Sequence, residues 1–473
     1  MWGFGMASRD KMDLLRVFLG SLPPGVAGNV ARAVEVDRMN NGRTLPHEMI
    51  LETLRSSLRD GAKAERALTP LRLFCRPFED LLVNNGFPNK QKGRIPRGSI
   101  TPVWNWLSQD LIPEATMAFS LAVKTAAMGH EQEQLEEKVL EFWASASGAL
   151  RARLASDGGW RPARQALGNE GVVQDAREMS LLLAAGAEVC ELQEALPQTL
   201  SSLTEEAVQT FRAVHEKLVA RLPDAAPYLA VVVMKRLEQP WEALRLPLGE
   251  GQATQTEPGE ETAPTSDLGL VGELLLAAID AHGAAIVSAN PEGFNADALV
   301  GHLDGYTTIS NGVTKEVELR RDGVWGQRLV KDRALVVEAM ENFMARAPEE
   351  VFAALVTQNS ETGAVVPDLS RAADPDSCDR ALSYARLIEG CRSLADAASF
   401  GASLKLADSQ IGAMLMRYNE AIVRELDDAD EEKRLNAEQY AAVATELTAI
   451  LISPEHGEHL RRQGRAAATS MAA

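Results

Sequence analysis

Four cations, Lys90, Lys92, Arg94 and Arg97, fall within segment 88–107, PNKQKGRIPRGSITPVWNWL, beside two hydroxyls and two tryptophans. These residue types suit the binding of an anion or of an acidic protein surface. If the chain from 88 to 96 is extended, side chains alternate, and Lys90, Lys92 and Arg94 point the same way. Thr101 followed by Pro102 reads as an N-cap and first turn, which sets a helix start with its free N–H groups and positive dipole end beside those cations. Ser99 and Thr101 add hydroxyl donors, and Arg97 adds a planar fork suited to carboxylate or phosphate. Trp104 and Trp106 are two positions apart, about 200° around a helix, so one enters the core and the other is left to stack on a neighbour or a partner. Arg72, Phe74, Arg76 and Phe78 precede the segment and extend the same candidate face.

Elsewhere the chain lacks the pattern of a reaction centre. It contains no GxxxxGK[ST] loop and no GxGxxG in a strand-to-helix context, so the common nucleotide sites are unsupported. It has no GxSxG elbow and no triad signature. Of the seven histidines only His456 and His459 lie close in sequence, and Gly457 weakens the helix that would align them while no third ligand is indicated. Asp374, Asp376 and Asp379 resemble the start of a calcium loop, but the sixth position is not glycine and Ala385 stands where the closing glutamate belongs. The four cysteines, Cys75, Cys190, Cys378 and Cys391, form no CxxC pair, the usage expected of reduced thiols in a cytoplasmic chain. The expectation is therefore no metal and no cofactor. An enzyme reading would have to draw on His47, Glu79 or Asp80 as acid–base groups, with catalytic residues otherwise undefined.

Composition bounds the partners. The net charge of −19 over 473 residues disfavours nucleic acid and anionic membranes as general partners. The charge is unevenly spread: residues 1–110 hold 16 lysines and arginines against 11 acidic residues, and the rest hold 32 against 56. The basic character belongs to the N-terminal part alone. Such a part can face an acidic partner or dock on its own acidic remainder.

The elements that position these residues are predicted to be helices. Aromatics make up 5% of the chain while alanine and leucine abound, which sets the class as all-α, a multi-helix bundle or helical array in two halves. Segment 247–267, PLGEGQATQTEPGEETAPTSD, has almost no large apolar residue and reads as a disordered acidic linker between an N-terminal helical domain, 1–246, carrying the basic loop 88–102, and a C-terminal helical bundle, 268–473. Short helices are expected within 10–19, 24–36 and 46–58. A longer helical region covers 113–155, where Leu135, Val139, Phe142 and Trp143 recur on one face. Ser202 and Glu205 have capping-box spacing ahead of Val208, Phe211, Val214 and Leu218, with His215 beside that face as a packing residue.

In the C-terminal half, Trp325, Leu329, Val336, Met340, Phe343 and Met344 share a helical stripe. Leu404, Ala407, Ile411, Met414, Tyr418 and Ala421 follow a three-and-four spacing that suits a bundle core better than a three-heptad zipper. Asn311-Gly312 and Asp322-Gly323 suggest one short β-hairpin near 306–330. Segment 268–289 is the longest apolar stretch, but Glu273 and Asp280 within it favour a packed amphipathic helix over a membrane span.

These features lead to one expectation about function. The protein is a cytoplasmic, regulatory or scaffolding binder of another protein, engaging an acidic surface through stretch 72–106. Arg72, Arg76, Lys90, Lys92, Arg94 and Arg97 supply attraction and an exposed tryptophan the anchor. The rival is an enzyme or sensor that holds a phosphorylated or carboxylated small molecule at the helix start near Thr101. No membrane insertion is expected, and self-association into a homo-oligomer stays open.

Overall fold

The computed structural model describes residues 69–84, 90–127, 132–155, 160–247, 268–317, 323–358, 365–428 and 431–470, with scattered positions between 15 and 54. Among the described residues the chain is helical, interrupted by two small ladders of two strands each. The all-α expectation holds. The chain divides into two compact units, one of residues 1–75 and 107–145, the other of 76–106 and 146–473.

In the first unit, Leu19, Val34, Ile50, Leu51 and Leu54 form a buried cluster. The unit also holds α1 (Pro70–Cys75), α3 (Pro113–Ala127) and the start of α4 (Gln132–Ala155). The apolar face foreseen on α4 is the buried one: Leu135, Val139, Phe142 and Trp143 are all inside. Phe142 stacks on Phe119 at 4.1 Å between ring centres, and the Trp143 indole N–H donates to the Leu73 carbonyl at 3.1 Å. The acidic residues Glu136 and Glu137 face outward.

The second unit begins with a 3₁₀ segment, Arg76–Leu81, and a two-residue parallel ladder of β1 (Leu82–Val83) on β2 (Ile95–Pro96). That ladder closes the base of the basic loop. The short helix α2 (Ile100–Trp106) follows. Then come α5 (Trp160–Leu167), α6 (Glu170–Ala184), α7 (Gly186–Ala195), α8 (Glu205–Arg221) and α9 (Ala226–Arg236). Helix α9 is the hub of this part, with Leu229 through Val233 wholly buried. The cap of α8 differs from the expected one: Thr204, not Ser202, accepts from the Ala207 amide, at 3.2 Å, because the helix begins directly at Glu205. His215 is buried and stacked on Phe211, the packing role expected of it.

Among the described residues seven further α-helices follow in the second unit: α10 (Gly269–Val287), α11 (Ala296–Glu316), α12 (Val324–Ala354), α13 (Pro375–Cys391), α14 (Gly401–Asp428), α15 (Glu431–Leu451) and α16 (Pro454–Ser470). Between α12 and α13 lies the antiparallel pair β3 (Thr357–Gln358) and β4 (Val366–Pro367). The stripe from Trp325 to Met344 is buried, as is the α14 seam at Leu404, Ala407, Ile411, Tyr418 and Ala421. Leu415 rather than Met414 is the fully buried residue of the middle turn, and the seam packs within the bundle.

Among the described residues of 306–330 the expected hairpin is not formed; Asp322 lies outside them. Asn311 and Gly312 lie inside α11, and Gly323 is the N-cap residue of α12. The glycine serves packing instead: a Cβ at 312 would collide with the Trp241 indole. The segment expected as a linker, 247–267, lies outside the described residues except for Pro247. Residues on both sides of it belong to the same unit. Helix α9 packs on α10, and Arg245 pairs with Glu316 of α11 at 2.6 Å. Helix α10 has the length and apolarity of a membrane span, yet Glu273 and Asp280 on it both pair with Arg328 of α12.

Candidate functional site

The basic loop is organised by a turn and by two buried carboxylates. Gly93 has φ +78°, a conformation that costs an L side chain but not glycine, and its amide donates to Glu178 Oε1 at 2.6 Å. This turn breaks the extended run expected from 88 to 96, so Lys90, Lys92 and Arg94 do not line one side. Lys90 turns inward. Its ammonium lies 2.6 Å from Asp175 Oδ1, pairs also with Glu178 Oε2, and donates to the Arg94 carbonyl at 2.8 Å. Asp175 and Glu178 sit three positions apart on α6 and are almost fully buried.

The same two carboxylates collect the neighbouring donors. Ser99 Oγ donates to Asp175 Oδ2 at 2.6 Å. The Tyr228 phenol is raised well above its ordinary range by burial first and then by the charge and hydrogen bond of Glu178. One guanidinium nitrogen of Arg94 reaches the Leu274 carbonyl of α10 at 3.5 Å, and burial lowers the Arg94 pKa. Arg76 pairs with Glu194. These cations are engaged within their own unit, Lys90 and Arg76 on acidic side chains and Arg94 on a backbone carbonyl.

Lys92, Arg97 and Thr101 are exposed. Among the described residues neither Lys92 nor Arg97 belongs to an ion pair. Trp106 is buried and Trp104 is half-buried, the division expected from their spacing. Arg72 lies on α1 in the other unit, where it is half-buried. Phe74 and Phe78 are wholly buried and extend no surface.

The helix start foreseen at Thr101 is also built otherwise. A 3₁₀ turn, Arg97–Ser99, leads directly into Ile100, so Thr101 is already helical and does not cap. Ser99 is committed to Asp175, whose negative charge opposes an anion at that point. Asp175, Glu178, Tyr228 and the Leu274 carbonyl are the residues sequence reasoning missed. Their one local signal was a pair of acids, Asp175 and Glu178, on the face of α6 that also carries Val172, Met179 and Leu182.

The other chemical candidates are structural. Glu79 is exposed, and Asp80 accepts from Arg236 Nε at 3.1 Å and from Gln193 at 3.2 Å. All four cysteines are free thiols and buried, and burial pushes Cys391 up to about 12. Asp374 caps α13 by accepting from the Ser377 amide at 3.0 Å. No group of three or more histidine, cysteine or acidic residues among the described residues is arranged to hold a metal ion. In comparisons with known proteins no family model matches the chain, and no curated protein and no solved structure shows significant similarity to it.

Proposed function

We propose that this chain is a cytoplasmic protein-binding scaffold or regulator that meets an acidic partner surface through the outer edge of the basic loop. Lys92 and Arg97 are the electrostatic contacts, Thr101 a polar one, and Trp104 the half-buried aromatic at the margin. The observation that carries this reading is the anchoring of Lys90 to Asp175 and Glu178. It pins the loop from beneath while the turn at Gly93 leaves Lys92 and Arg97 outward, so two cations are presented on a fixed backbone at small entropic cost on binding. The free thiols support a reducing compartment, and the net charge argues against nucleic acid as the partner.

The test is quantitative affinity capture from the source cells with the wild-type chain and the double variant Lys92→Glu/Arg97→Glu. A protein captured by the wild type, released by moderate salt and lost from the variant supports the reading. Capture of the same proteins in the same ratios by both chains overturns it. Because both residues are exposed, the variant is expected to keep its fold, which circular dichroism checks.

A further inference from the structure

His282 of α10 and His302 of α11 face each other with their Nδ1 atoms 3.2 Å apart. The ring centres are 5.4 Å apart and the planes are inclined by 63°. Both residues are half-buried. In the neutral pair one Nδ1–H donates and the other nitrogen offers its lone pair, so two ring nitrogens of the same kind converge on one point. Imidazole nitrogens bind zinc at about 2.0–2.1 Å, and two such bonds at a tetrahedral angle set the nitrogens about 3.3 Å apart. The pair already has that bite.

The backbone holds the pair in place. Gly305 lies one turn along α11 from His302, and a Cβ there would come 2.5 Å from Cε1 of His282 and 2.9 Å from its Nδ1. The missing side chain is what lets the His282 ring lie against α11.

The geometry points to His282 and His302 as an open two-imidazole site for a divalent transition-metal ion of the zinc, nickel or copper class. The donating ring passes its Nδ1 proton to its own Nε2 through solvent, so both rings stay neutral with Nε2–H and both Nδ1 lone pairs are free to hold the ion, which joins α10 to α11. Among the described residues no third histidine, cysteine or carboxylate completes the set, so the remaining positions belong to solvent. Such a site is weaker than a closed structural one. Its affinity follows the usual order in which copper exceeds nickel and zinc.

The experiment uses the full, tag-free chain titrated with zinc and with nickel by calorimetry, beside His282→Asn and His302→Asn. Asparagine keeps a polar atom near the Nδ1 position but is a poor ligand. His456→Asn/His459→Asn controls for binding at the other close histidine pair. Saturable binding of one ion per chain that falls at least about tenfold in each single variant, and is unchanged in the control, supports the site. No saturable binding by the wild type, or binding indifferent to both variants, overturns it. Should the variants fold poorly, paramagnetic resonance of the wild-type chain with one equivalent of copper decides. Coupling to two equivalent nitrogens is expected, and a spectrum without it rejects the site.

Discussion

Lys90 and Asp175 meet at 2.6 Å inside the second unit, with Lys90 13% exposed and Asp175 3%. One ammonium thus answers two buried carboxylates, because Glu178 pairs with it as well. Removing the lysine leaves both charges without their counter-ion. Lys90→Met is therefore expected to cost about 3–5 kcal/mol, the range for breaking a buried pair from one side. Lys92→Met, on the exposed side of the same loop, should change stability by less than about 0.5 kcal/mol. Urea denaturation of the two variants reads the contrast. Equal midpoints would mean that Lys90 is not the anchor of the loop.

Gly272 and Gly312 are predicted to tolerate no side chain. A Cβ at 272 would overlap the Trp325 ring, and one at 312 the Trp241 ring. Either Gly→Ala change forces a large indole or a helix to move, at about 1–3 kcal/mol. Combining Gly272→Ala with Trp325→Leu should cost less than the sum of the two, since the smaller side chain makes room. Thermal melts of the four species measure that coupling, and strict additivity would contradict the close approach of α10 to α12.

How far the sequence foretold this structure depended on whether the deciding contact was local. The stripe from Trp325 to Met344 and the seam from Leu404 to Ala421 were readable because a helix repeats its buried face every three or four residues whatever lies opposite. Asn311-Gly312 has the sequence of a turn, but its glycine answers to Trp241, some seventy positions earlier, and not to its neighbours. The basic loop shows the same limit. Its cations and the division between Trp104 and Trp106 were visible, but the alternation of Lys90, Lys92 and Arg94 gave way to a turn at Gly93 whose amide is held by Glu178, 85 positions away. Thr101 has the chemistry of a cap, yet the 3₁₀ turn Arg97–Ser99 runs directly into Ile100, so the helix begins two residues before Pro102.

Asp332 and Asp280 make α10 and α12 pH-sensitive. Asp332 is pushed up to about 6, by burial first and then by the neighbouring Asp280 carboxylate, with Arg328 opposing. Burial also raises Asp280, but the hydrogen bonds from Arg328 and Asp332 and the charge of Arg328 leave it below its ordinary value. Between about pH 4 and pH 6 the folded chain holds a proton on Asp332 that the unfolded chain has lost, so this group's contribution declines as pH rises through that window. Asp280 acts in the opposite sense, and its contribution declines as pH falls below the ordinary aspartate range. Asp332→Asn keeps a neutral amide in place. It is expected to stabilise the protein at pH 7.5 by on the order of 1 kcal/mol after solvent screening, with no gain at pH 4. Denaturant midpoints at the two pH values test this, and a pH-independent difference would remove the proton from the account.

Arg236 joins three elements of the second unit. Its Nη1 donates to the Gln193 carbonyl at 2.5 Å and the Leu196 carbonyl at 2.8 Å, at the end of α7, while Nε and Nη2 hold Asp80 Oδ2 at 3.1 and 3.0 Å. The residue is 7% exposed. Only a planar fork meets an anionic oxygen and two carbonyls in these directions at once, and a lysine ammonium at the end of a flexible stem reaches some of them but not all. Arg236→Lys should therefore cost about 1–3 kcal/mol from carbonyls left unsatisfied. Arg236→Met should cost about 3–5 kcal/mol because Asp80 also loses its counter-charge. The Asp80–Arg236 contact fixes the 3₁₀ turn Arg76–Leu81, which runs into β1 and so into the base of the basic loop. Hydrogen exchange should accordingly show faster exchange at Leu82, Val83 and Ile95 in Arg236→Lys than in the wild type. Unchanged protection there, in a variant destabilised elsewhere, would uncouple this contact from the loop.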